Sequence, residues 1–128
     1  IAKINTRGIT THTFIKKIEI AYGLADIIVS RAGAIAISEL CVVGKPVILI
    51  PSPNVAENHQ YKNAQSLVNK NAAILVEDSQ ANNKLVDEIL KLKNNPILMK
   101  GLSENIKKME YKNAANVISE YALDLIKT

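Results

Sequence analysis

Two uninterrupted apolar runs, Ile27-Ile28-Val29 and Val47-Ile48-Leu49-Ile50, constrain this chain more than any other feature. A strand that is apolar at every position has no solvent face, which is the habit of parallel sheets covered by helices on both sides. Between the runs lies a helical pattern from Ala34 to Val43. It is stopped by Gly44-Lys45-Pro46, with glycine just past the last turn and proline beyond it. A strand, a helix and a second strand in that order require a crossover, and hence parallel strands.

The pattern continues in both directions. Phe14 to Ala25 carries apolar residues at Ile15, Ile18 and Tyr22, a helical spacing. A helix is expected from about His59 to Asn69, a third short strand from Ala72 to Val76, and a turn at Asp78-Ser79-Gln80. Asn82 to Leu92 places Leu85, Ile89 and Leu92 on one face, and Asn94-Asn95-Pro96 breaks it. Two more helices follow, Ile97 to Met109 and Asn113 to Lys127, the latter with Ala114, Val117, Ile118, Tyr121 and Leu125 on one stripe. Residues 1–12 suggest a short strand and a turn at Gly8. The fold class is therefore α/β, a Rossmann-like parallel sheet flanked by helices.

Composition narrows the function classes. At 128 residues the chain is one domain at most, and 4% aromatics make its core aliphatic. The net charge of +4 comes largely from lysines such as Lys84, Lys91, Lys93, Lys100, Lys107, Lys108 and Lys112, spaced as on solvated helix faces. No aromatic-interleaved basic stripe supports nucleic-acid binding; attraction to anionic lipid headgroups or phosphorylated substrates stays open. Cys41, the one cysteine, sits in an apolar run and reads as a buried structural thiol of a reducing compartment. No apolar run approaches 18 residues, and no secretory pattern is present.

In an open parallel sheet, ligands bind beyond the C-terminal ends of the strands. The loops SRAGAIAISEL (30–40) and PSPNVAENHQYKNA (51–64) both belong there. Gly33 permits a tight turn and close approach of a ligand. Ala34, Ile35 and Ala36 would then offer the unpaired N–H groups of a helix start, suited to a diphosphate. Glu39, on the same face as Ile35, can grip a vicinal diol or simply face solvent near a helix N-terminus. Arg31 serves either the site or an ion pair with an acid such as Asp26. His59 reads equally as a helix-start surface residue and is given no proton transfer; His12 has no role.

The segment from Phe14 to Ala64 resembles the C-terminal domain of the MurG-type transferases. These add N-acetylglucosamine to undecaprenyl-diphospho-muramoyl-pentapeptide, the step from lipid I to lipid II of peptidoglycan and cell-wall synthesis. The resemblance is carried by FIKKIEIAYGLAD, RAGAIAISE, GKPVILIP and HQYKNA, and spans about residues 13–76. It implies that Phe14 and Ile15 read the uracil, Ile15 through its backbone. It implies that Ala34, Ile35, Ala36, Ile37 and Ser38, after Gly33, form the phosphate-binding helix start. Glu39 would bind the ribose hydroxyls, His59 and Gln60 the sugar hydroxyls, and Arg31 would lie near the site. Two departures stand out: Ala36 replaces a usual Ser or Thr, and Glu57-Asn58 replaces an acidic-then-HQ pattern.

The resemblance further implies part of the C-terminal domain of a GT-B glycosyltransferase, in which two Rossmann-like domains face a cleft. Residues 1–128 are then a single, truncated UDP-sugar-binding domain ending in a helix over 111–128. UDP-N-acetylglucosamine is the expected donor, with no metal and no cofactor. The lipid-linked acceptor and peripheral attachment to the cytoplasmic face of the inner membrane would come through an N-terminal domain that this chain does not contain. No catalytic residue is assigned, because the general base that an acceptor hydroxyl needs has no candidate here. Two alternatives are a small subunit of a split transferase completed by a partner chain, and a non-catalytic nucleotide-sugar-binding module.

Overall fold

The computed structural model describes residues 7–54, 58–110 and 122–126. The elements are α1 (Ile18–Leu24), β1 (Ile28–Ser30), α2 (Ala34–Val43), β2 (Val47–Leu49), α3 (His59–Val68) and β3 (Ile74–Leu75). A 3-10 turn (Asp78–Gln80) then leads into α4 (Ala81–Lys93) and α5 (Pro96–Lys108). The three strands form a parallel sheet in the order β1-β2-β3, with Ile28 opposite Val47 and Ile48 opposite Ile74.

β2 is why the sequence reads apolar throughout. Val47 and Leu49 point into a cluster with Ile37, Leu40, Cys41, Ala64, Leu67 and Ile106, under α2, α3 and α5. Ile48 points the other way, into a cluster with Val76, Leu92 and Leu102, under α4 and α5. Successive side chains of a strand face opposite sides, so a covered central strand alternates between two cores. Burying each such aliphatic side chain is worth about 1.5–3 kcal/mol.

β1 differs from its expected full burial. Among the described residues it is an edge strand, and its central Val29 is 39% exposed. α1 is shorter than the expected span, beginning at Ile18 rather than Phe14, and contains no buried residue. The apolar spacing is there, but nothing described packs over Ile20 or Leu24, which stay exposed.

Helix ends follow local chemistry. Gly44 closes α2 in the left-handed conformation at φ 68°, its N–H donating to the Leu40 carbonyl. The Asn94-Asn95-Pro96 break is also a start: the Asn95 side chain accepts from the Leu98 N–H at 3.1 Å, and Pro96 opens α5. Gly8 turns with φ 87°. Cys41 is fully buried and unpaired; burial, with the charge of Glu110 second, pushes its thiol up to about 11. The short strand expected within residues 1–12 is not formed over residues 7–12; residues 1–6, the Glu57 departure, and the expected helix positions Ala114, Val117, Ile118 and Tyr121 lie outside the described residues, and residues 122–126 are helical. Among the described residues, no helix is long and apolar enough to cross a membrane.

Candidate functional site at the strand ends

The C-terminal ends of all three strands converge on one edge of the molecule. A cleft of about 440 Å³ there is lined by Ser30, Arg31, Ile50, Asp78 and Asn82. A neighbouring cleft of about 270 Å³ lies between Ser52, Pro53, Asn58, Tyr61 and Glu77. The loop after β3 thus joins the two loops expected from the sequence. It was legible by the same rule, because Asp78 follows the third strand as Arg31 follows the first.

The α2 start is open as expected. Its first internal hydrogen bond runs from the Ile37 N–H to the Gly33 carbonyl at 2.9 Å, leaving the N–H groups of Ala34, Ile35 and Ala36 ahead of it. Gly33 has φ −66° and ψ 151°, ordinary extended backbone, so the tight turn expected of it is not what it provides. A Cβ at position 33 would meet only Gln60 Nε2, at 3.9 Å. Nothing among the described residues therefore demands glycine there; room for an approaching ligand remains the use of it.

Ile35 and Glu39 both face solvent on α2, while Ile37, Leu40 and Cys41 turn inward. Tyr22 of α1 donates a hydrogen bond to Glu39 Oε2 at 3.3 Å. Burial first, then the Glu39 charge and this hydrogen bond, raise the Tyr22 hydroxyl above its ordinary value. The Ser38 hydroxyl donates back to the Ala34 carbonyl at 3.1 Å. Arg31 pairs with Asp78 at 2.5 Å and also donates to the Ile50 carbonyl at 3.3 Å. The partner is thus Asp78 and not Asp26, and one side chain ties all three strand ends together.

Gln60 lies between the first two loops. Its Oε1 accepts from the Ala32 N–H at 3.3 Å and from the Ser52 N–H at 2.8 Å. Asn63, one turn later, donates to the Ala32 carbonyl at 3.1 Å. His59 opens α3 and is exposed, preceded by Asn58 in the left-handed region. The structure brings Arg31, Gly33 and Gln60 together. Phe14 and Ile15 instead line a groove of about 530 Å³ along α1 with Ile20 and Leu24, and line neither strand-end cleft. Sequence reasoning gave no role to Asn63, though it lies in the HQYKNA motif, nor to Ser52, whose contact is made by its backbone N–H.

The family model for the glycosyltransferase family 28 C-terminal domain matches residues 2–121. The chain belongs to that family. Among its relatives is the UDP-N-acetylglucosamine–N-acetylmuramyl-(pentapeptide) pyrophosphoryl-undecaprenol N-acetylglucosamine transferase of Phocaeicola vulgatus, 50% identical over 88% of this chain and 30% of the relative. The protein of the same name from Cytophaga hutchinsonii is 44% identical over 100% of this chain and 35% of the relative. The chain therefore spans about a third of the length of these family 28 relatives. The crystal structure of Acinetobacter baumannii MurG superposes with a TM-score of 0.66 at 23% identity, covering 84% of this chain and 32% of that one. The family 28 fold, a parallel sheet between helices as in one domain of a GT-B glycosyltransferase, is as the sequence led one to expect.

Proposed function

We propose that this chain binds UDP-N-acetylglucosamine and supplies the donor side of a transferase that places N-acetylglucosamine on a lipid-linked muramoyl-pentapeptide. One observation carries the reading: an open helix start, preceded by a glycine that no described neighbour requires, lies at the parallel strand ends. The names and identities of the relatives support the choice of donor.

In this reading the N–H groups of Ala34, Ile35 and Ala36 hold the diphosphate, and Ile37 and Ser38 complete that turn. The backbone N–H of Ala36 serves there although the side chain lacks a hydroxyl. Glu39, oriented by Tyr22, accepts from the ribose hydroxyls. Phe14 and Ile15 meet the uracil, His59 and Gln60 meet the sugar, and Arg31 adds positive charge beside the phosphates. Transfer to an acceptor hydroxyl breaks the bond from the anomeric carbon to UDP, so negative charge grows on the leaving diphosphate. Fixed N–H groups and the helix dipole stabilise that charge in place, by about 0.3–2 kcal/mol from the dipole alone. The acceptor site, its general base and attachment to the cytoplasmic face of the membrane belong, in this reading, with the portion of the relatives beyond the matched third.

Titration calorimetry of the chain with UDP-N-acetylglucosamine tests the reading. Binding is expected, with UDP as competitor, and Glu39→Ala should weaken it about tenfold, or ~1.4 kcal/mol. Absence of binding by either compound would sink the proposal, and unchanged affinity in the variant would remove Glu39 from the site.

A further inference from the structure

We propose that Gln60 and Asn63 are positioning residues: together they clamp the peptide groups on both sides of Ala32 and so preset the start of α2 for a diphosphate. The inference rests on the UDP-sugar reading above and goes beyond it by assigning residues that act through the loop.

The two side chains lie three residues apart on α3 and therefore on one face of it. Gln60 Oε1 takes the Ala32 N–H and Asn63 Nδ2 gives to the Ala32 carbonyl, so the residue just before the N-cap Gly33 is held at both its donor and its acceptor. Ala32 is itself fully buried, so these peptide groups have no water to turn to. The same Gln60 oxygen takes the Ser52 N–H, which joins the loop after β2 to the loop after β1. Two hydrogen bonds from one face of α3 thus fix the point where the chain enters α2, and a third ties the loop after β2 to it. Donors held in place before the charge arrives need no rearrangement when it does.

The clamp also limits what Gln60 can offer a ligand. Two N–H donors converge on one amide atom, and that atom must be the oxygen. The oxygen is occupied, and Nε2, 3.9 Å from where a Cβ on Gly33 would sit, is the amide group left to donate. Toward a bound molecule Gln60 is a donor, suited to a sugar hydroxyl oxygen or a phosphate oxygen.

Amide hydrogen exchange and calorimetry on the full chain test this together. Gln60→Leu should speed exchange of the Ala32 and Ser52 amides in concert, by about tenfold or more. Gln60→Glu should restore their protection, because a carboxylate oxygen accepts as the amide oxygen did, yet should weaken UDP-N-acetylglucosamine binding at least tenfold for lack of a donor. Asn63→Ala should speed exchange of the Ala32 and Ile37 amides and weaken UDP and UDP-N-acetylglucosamine by the same factor, roughly tenfold. A space-filling role would instead leave Leu at position 60 as good as Glu. The clamp is overturned if the Ala32 and Ser52 amides stay protected in Gln60→Leu, or if Asn63→Ala binds UDP as tightly as the unaltered chain. If the unaltered chain binds no UDP, the UDP-sugar reading fails instead, and exchange alone decides the clamp. A Gln60→Leu chain that does not fold leaves the decision to Gln60→Glu and Asn63→Ala.

Discussion

The α2–β2–α3 region and the α1 region, both drawn on by the proposed donor site, are built differently. In the first, Leu40, Val47, Leu49, Ala64 and Leu67 are buried together, and side-chain bonds from α3 fix the connecting loop. In the second, no residue of α1 is buried; Tyr22 packs half-buried against the same cluster and donates a hydrogen bond to Glu39. The contrast teaches that the turn proposed to hold the phosphates is fixed by the core, whereas the segment proposed to read the base shows no buried residue among those described. Diphosphate recognition should therefore tolerate few changes nearby, and base recognition should rest on exposed residues that stability does not constrain.

The strongest way to break this comparison is Leu40→Ala. A fully buried leucine in the first region should cost about 2–5 kcal/mol in urea unfolding; a loss under 1 kcal/mol would mean the region is not packed as described. Cys41, in the same cluster, gives a pH test. Its folded-state value lies above its unfolded one, so stability is intact below pH 9 and falls as pH rises from about 9 towards 11. The slope should be at most ~1.4 kcal/mol per pH unit, and Cys41→Ala should remove it. Gly33→Ala sharpens the contrast between stability and binding. With only a 3.9 Å contact to meet, the new methyl should leave stability unchanged or raise it by about 0.4–1 kcal/mol, while UDP affinity falls about tenfold. Leu24→Ala in α1 should change stability by less than ~0.5 kcal/mol, since that side chain is 80% exposed.

The end of α2 was readable because it is set locally: Gly44 takes a left-handed conformation that glycine adopts at no steric cost. β2 was readable because burial on both faces leaves no polar position. The start of α1 was not, because periodicity says which face a helix would bury and not whether anything covers it. Arg31 could be seen to need an acid, but its partner lies 47 residues away on a loop that only the sheet brings near. The ligand-facing list came from a family resemblance; that Gln60 spends its oxygen on two backbone groups depends on where two loops meet in space.

The alternation of β2 has a consequence for how this chain can change over time. Leu67 belongs to the cluster on one side of the sheet and Leu92 to the cluster on the other. Substitutions confined to opposite sides share no neighbour and should combine additively. Each side can drift and repack without waiting for the other. The elements that feed both sides answer to both: β2, with Val47 and Leu49 on one side and Ile48 on the other, and α5, with Ile106 and Leu102, and these are the slowest parts of the chain to rewrite.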